Sequence, residues 1–234
     1  MDEGNAYYVL GATGLIEALA NDYLSTLPES RSISWVCNHS RNTQLALYNG
    51  YIDLALAYER GQEELAHLEV GRFRALFHSR VDGSATMWKE QSLWSCCGLM
   101  PWKNDSDATW YKTSRVAPAE ALKAADQAGA YLLTDRSTLL AQTSLRTIFH
   151  TTVFFEPTST DDSLMNSRYA LYSPFIDDVR SKSIQHFIQY MLSPQGQNLI
   201  GSYGRSNCGL PLFANLEEGF ARTKLVGGIP RNGK

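Results

Sequence analysis

Ala6-Tyr7-Tyr8-Val9-Leu10-Gly11-Ala12-Thr13-Gly14 opens the stretch on which the fold turns, and Ile52-Asp53-Leu54-Ala55-Leu56-Ala57 closes it. The first five residues read as a buried strand stopped by Gly11. Thr13 stands where a helix is capped, and Leu15, Ile16, Leu19 and Leu24 follow at helical spacing. Ser32-Ile33-Ser34-Trp35-Val36-Cys37 reads as a second strand, Asn38-His39-Ser40-Arg41-Asn42 as a polar loop, and Gln44 to Tyr48 as a short helix ended by Asn49-Gly50. Ile52 to Ala57 is the third strand. Strand and helix in alternation predict a mostly parallel sheet covered by helices, the α/β class.

The alternation continues beyond it. Arg74-Ala75-Leu76-Phe77-His78 is strand-like, and Thr86 to Cys97 forms a helix with Met87, Leu93, Trp94 and Cys97 inward. Ala117-Pro118-Ala119-Glu120 starts a helix that ends at Gly129. Tyr131-Leu132-Leu133 is a short strand running through Thr134 to Thr138 into a helix at Leu139 and Leu140. Thr152-Val153-Phe154-Phe155 and Tyr169-Ala170-Leu171-Tyr172 read as strands. Ile184, Phe187, Ile188 and Met191 mark an amphipathic helix. Ser193-Pro194 caps and starts the next helix, which stops between Gly201 and Gly204, and the tail after Leu210 is peripheral. Two α/β units with one long chain return predict two lobes facing across a cleft. Residues 1–72 with 163–234 form lobe 1, and 73–162 form lobe 2.

Composition narrows the class. The chain has 234 residues, a formal net charge of -3, 44% hydrophobic and 19% charged residues. A chain this long buries roughly 70% of its unfolded surface and needs no metal or disulfide staple. No apolar run approaches the ~20 residues of a membrane span. No Lys/Arg cluster suggests nucleic acid or an anionic membrane as a partner. Met1-Asp2-Glu3-Gly4 lacks the features of a signal peptide, so the expectation is cytoplasmic if Met1 is native. Cys37, Cys96, Cys97 and Cys208 follow no zinc spacing. Buried thiols are the simpler reading, and a Cys37–Cys208 bridge stays open.

Four polar loops separate a strand from a helix: Gly11 to Gly14, Asn38 to Thr43, Ser79 to Thr86, and Thr134 to Thr138. They are rich in small and hydroxyl residues, and all but the first carry an arginine. Helix N-termini offer unpaired N–H groups and a partial positive charge, which suits an anion. Arginine adds a planar fork of donors. A small anionic ligand, with no cofactor and no metal, is the chemistry these loops favour.

Specific motifs sharpen this. Ser79-Arg80-Val81-Asp82-Gly83-Ser84-Ala85-Thr86 with Lys89-Glu90 resembles the S-R-x-D-x-S-x-T-x-x-K-E signature of the TupA-like tungstate-binding proteins, which are type II periplasmic substrate-binding proteins. Trp110-Tyr111 extends the likeness. Ala130-Tyr131-Leu132-Leu133-Thr134-Asp135-Arg136-Ser137-Thr138 is similar to the family's A-Y-x-L-T-D-R-x-T, and Asn166-Ser167 with Tyr169 to its N-P-Y. Ser193-Pro194-Gln195-Gly196-Gln197 with Ile200 and Tyr203-Gly204 resembles its S-P-x-G-Q helix. The Asn38 to Thr43 variant looks more like fungal members than bacterial ones.

The resemblance implies a two-lobed type II periplasmic-binding-protein-like fold and non-catalytic binding of tungstate or molybdate in the interlobe cleft. Arg80, Ser84 and Thr86, with Arg136 nearby, would face Thr13, the Gly11 to Gly14 backbone and Ser40. Asp82 would orient Arg80 or cap the helix, because a bare carboxylate repels an anion, and the same holds for Asp135. An ABC permease is the partner in a bacterial setting only. The first loop here is shorter than the family's, and only Glu59 to Phe73 stands where members carry a lobe-crossing segment. Two other readings follow from the residues. A repurposed scaffold would be an enzyme acting on a small organic acid held by Arg80, with His39 or His78 and Asp82 as its acid and base. A protein-interaction module would draw on the aromatic residues.

Overall fold

Gly14 is the first residue that a computed structural model of the chain describes; the described residues are 14–36, 40–58, 75–103, 109–173, 175–221 and 223. Gly14 caps α1 (Leu15–Ser25) in the left-handed region at φ 76°. A Cβ there would lie 2.7 Å from the Tyr203 hydroxyl, so the close approach as well as the backbone favours glycine. Helix α1 buries Leu15, Ile16, Leu19, Ala20 and Tyr23. After α2 (Ser40–Tyr48), β1 (Leu54–Tyr58) runs antiparallel to β4 (Arg168–Tyr172), with Leu54 opposite Tyr172.

Helix α6 (Asp178–Leu192) begins where the Asp177 carboxylate accepts the Val179 and Arg180 amides, and α7 (Pro194–Ser202) where the Ser193 hydroxyl accepts the Gly196 amide. Leu15, Ile16, Leu19, Tyr23, Leu54, Ile184, Phe187, Tyr190 and Met191 form one core. Each large apolar side chain buried there contributes about 1.5–3 kcal/mol.

The middle of the chain builds two further cores. Strand β2 (Phe77–Arg80) runs parallel to β3 (Tyr111–Ser114), and Tyr131 adds a single parallel bridge to Phe77. Helix α3 (Ala85–Cys96) lays Trp94 against Phe77, Trp110 and Tyr111, with the Phe77 and Trp94 rings edge-on at 5.2 Å. Helices α4 (Pro118–Ala128) and α5 (Arg136–Ser144) enclose Leu122, Leu139 and Ile148. Elements near both ends of the described chain thus share one core, and those between Ala75 and Val153 share the others.

Several sequence expectations need correction. Ser32 to Val36 and Thr152 to Phe155 form no strand. Trp35, Val36, Phe154 and Phe155 are exposed, and Phe154 packs its ring on Tyr131 and Phe155 instead. The loop expected up to Thr43 is helical from Ser40 onward, and β2 extends to Arg80. The β1–β4 pair is antiparallel, where a mostly parallel sheet was expected. Strand β3, the 3-10 turn Pro101–Lys103 and the short α8 (Arg205–Cys208) had no reading at all. Cys208 is a free thiol, and Cys37, its expected alternative partner, lies outside the described residues. The strand expected at Ala6 to Leu10 lies outside the described residues. Among those described, no helix is long and apolar enough to cross a membrane.

Candidate functional site

Arg80 ends β2, and the chain turns through Asp82 and Gly83 into α3. The Asp82 carboxylate sits inside that turn. Its Oδ2 accepts from Arg80 Nε at 2.8 Å and Nη2 at 2.6 Å, while Oδ1 accepts the Ser84 amide at 3.0 Å. Ser84 caps the helix by accepting the Met87 amide at 3.2 Å, and also takes Arg80 Nη2 at 3.1 Å. The group is dry: Arg80 is 3% exposed and Ser84 7%. Burial pushes the Asp82 carboxyl up, but the Ser84 hydroxyl and amide and the Arg80 guanidinium outweigh it and hold the group below the usual carboxylate range. Asp82 therefore orients Arg80 and ties the helix start. Arg80 Nη1 has no partner among the described residues.

A cavity of about 940 Å³ opens beside this turn. Thr86, Lys89 and Glu90 of α3 line it, together with Thr134, Asp135 and Arg136, and Leu15, Leu19 and Arg168 to Ala170 come from the other group of elements. Glu90 follows Thr86 by one helical turn and is 2% exposed. Its Oε1 accepts the Tyr111 hydroxyl at 2.7 Å, and that hydroxyl is 2.8 Å from Ser79 Oγ. Burial pushes Glu90 up to about 7, against hydrogen bonds from Ser79 and Tyr111 and the charge of Arg80. Burial and then the Glu90 charge push the Tyr111 phenol up as well.

Thr86 and Arg136, two of the six predicted site residues, line the cavity. Arg80 and Ser84 are joined to each other immediately before it. Thr13 lies outside the described residues. Ser40 opens α2, and its side chain is not among the features described. Asp135 accepts the Thr138 amide at 2.9 Å and its hydroxyl at 2.8 Å, capping α5 rather than holding Arg136. Arg136 Nη1 instead donates to the Pro211 carbonyl. Thr134, Glu90 and Tyr111 stand in the loops and motifs of the sequence analysis but were given no individual role there. Thr134 Oγ1 is buried with no partner among the described residues. The spacing of Thr86 and Glu90, four apart on a helix, was the available signal.

The acid–base pair of the enzyme reading does not form at His78. Its Nε2 lies 2.8 Å from Ser114 Oγ, burial lowers its pKa, and Asp82 is committed to Arg80 and Ser84. His39 lies outside the described residues. Among the described residues there is no cluster of three or more His, Cys, Asp or Glu side chains fit for a metal.

No family model matches the chain. The tungstate-binding protein TupA of Peptoclostridium acidaminophilum is 29% identical over 178 residues, 71% of this chain. The chain is a homologue of TupA. It spans 58% of that relative's length. The solved TupA of Desulfovibrio alaskensis G20 superposes on this TupA homologue with a TM-score of 0.64 at 19% identity, covering 88% of this chain and 96% of the other. A tungstate ABC transporter structure from Geobacter sulfurreducens gives 0.61 at 18% identity, with 87% and 100% covered. A periplasmic protein gives 0.75 at 21% identity, with 90% and 96% covered. The fold of this TupA homologue is accordingly the type II periplasmic-binding-protein-like fold that the sequence predicted.

Proposed function

We propose that the chain binds a small tetrahedral oxyanion, tungstate or molybdate first, without catalysis. One observation carries the reading: Arg80 Nη1 is a buried charged donor with no partner among the described residues, on a guanidinium that Asp82 and Ser84 hold in place. A buried charged donor left unpaired is costly, and an anion at that point satisfies it. The α3 N-terminus adds its amides and dipole, and the Thr86 and Thr134 hydroxyls add donors from the cavity wall.

Residues 1–72 with 163–234 and residues 73–162 are the two lobes in this reading. The separation of the cores supports that division. Thr13 and Ser40 would complete the site from lobe 1, and Arg136 would act at its edge. Where an ABC permease for the anion is present, that permease is the partner.

Thermal melting with tungstate, molybdate, sulfate and phosphate tests the reading. A ligand at about 100 times its Kd adds about 2.7 kcal/mol, which raises Tm by roughly 5–10 °C for a chain of this size. The rise is expected with tungstate or molybdate and absent in Arg80→Ala. No rise with any of the four anions contradicts it.

A further inference from the structure

We infer that Glu90 makes anion capture proton-linked: its carboxyl takes up a proton as the anion enters, so the site loads best when that carboxyl is neutral. The inference rests on the oxyanion reading and adds to it a pH-dependent choice of when the ligand is held. Glu90 is on the same helix face as Thr86, one turn deeper, and both line the cavity. It is as dry as Arg80, at 2% against 3% exposure.

The charges around it nearly cancel. Arg80 from β2 is the near cation, and Asp82 already holds it in a 2.6 Å ion pair. Tyr111 from β3 supplies a neutral hydroxyl at 2.7 Å. Lys89 precedes Glu90 on α3, and Arg136 and Arg168 line the same cavity with it; Asp126, Asp135 and Glu156 line it with the opposite charge, and His150 lines it as well. A dianion entering beside the Arg80–Asp82 pair therefore meets a nearly balanced site. A third negative charge at Glu90 would repel it through a dry interior. Protonation removes that repulsion and leaves the carboxyl able to hydrogen-bond with Tyr111 as a neutral group. Burial already places the free Glu90 at about 7, where small changes of pH alter its charge.

The sign follows from linkage. An anion raises the affinity of Glu90 for its proton, so binding takes up a proton and Kd rises with pH above about 7. The limit is about tenfold per pH unit for one coupled proton.

Titration calorimetry with sodium tungstate at about pH 6.5 and about pH 9, in two buffers of different ionisation enthalpy, tests this on the intact chain. The wild type is expected to weaken by tens of fold between the two pH values and to take up about 0.7 proton per anion near pH 7.5. Glu90→Gln keeps an acceptor for Tyr111 and is expected to bind equally at both pH values with no uptake. If the variant does not fold, the wild-type buffer comparison alone decides. Tungstate binding without proton uptake overturns the inference and leaves the oxyanion reading intact, as does an unchanged pH response in Glu90→Gln. Absence of binding at both pH values, in a wild type that melts cooperatively, overturns both.

Discussion

Arg80 and Asp82 form a pair whose two side chains are 4% and 7% exposed, so each depends on the other to be buried at all. Asp82→Ala leaves the guanidinium charged and without its acceptor, and is expected to cost about 3–5 kcal/mol by denaturant melting while abolishing anion binding. The double variant Arg80→Met with Asp82→Ala is expected to recover most of that stability and none of the binding, because packing can replace a buried ion pair but not its donors. Asp82 is held below its ordinary range, so the stability it supplies is complete above about pH 4 and is lost as pH falls through its folded value. Glu90 has the opposite sign. Its folded value is raised from 4.5 to about 7, so the fold binds its proton more tightly than the unfolded chain does. Stability from this group falls as pH rises from about 4.5 to 7. Glu90→Gln is expected to equal wild type near pH 4.5 and to exceed it by about 2–3 kcal/mol near pH 8, measured by urea unfolding. Equal stabilities at pH 8 would remove the case for a strained carboxyl there.

At the scale of elements, helices announced themselves through caps and periodicity. Ser193-Pro194 marked the start of α7, Pro118 that of α4, and the spacing of Ile184, Phe187 and Met191 marked the buried face of α6. Strands were less legible, because four or five apolar residues have no period long enough to distinguish a buried ladder from an exposed run. Phe154 and Phe155 belong to the second kind, at 61% and 67% exposure. Strand β3 failed in the other direction: Lys112 and Thr113 are exposed, and Tyr111 is the member that packs. The α6–α7 junction admits a sharp test. A Cβ at Gly196 would lie 2.4 Å from the Tyr190 carbonyl oxygen and 2.9 Å from Met191 Cα, both backbone atoms. Gly196→Ala is expected to destabilise by about 1–3 kcal/mol, visible as a lowered Tm. An unchanged Tm would mean that α6 and α7 can separate without loss. The neighbouring contact is also polar, since Asp22 of α1 accepts Tyr190 Oη at 2.5 Å and Gln195 Nε2 at 2.7 Å.

Across the whole molecule, the motif order from Ser79 to Gly204 carried the fold. Arg80, Asp82 and Ser84 are joined as their spacing suggested, through a turn short enough for local sequence to dictate it. Arg136 was less legible, because its contact with the Pro211 carbonyl spans 75 positions and no local pattern encodes it. Together with Ser144 Oγ donating to the Asn207 carbonyl at 2.6 Å, it fastens α5 to the segment after α7. Arg136→Ala is expected to lower stability by about 1–2 kcal/mol and to speed amide exchange through residues 205–213, leaving exchange in α1 unchanged. Uniformly faster exchange would show that the contact is not a local fastening. The central claim is that Arg80 and the start of α3 hold an oxyanion. Its most direct test is a crystal of the chain grown with tungstate and measured at a tungsten absorption edge. One anomalous peak placed so that a tungstate oxygen accepts a hydrogen bond from Arg80 Nη1, facing the Ser84–Thr86 turn, is the expected result. A peak elsewhere, or none at saturating tungstate with Arg80 well ordered, would contradict it.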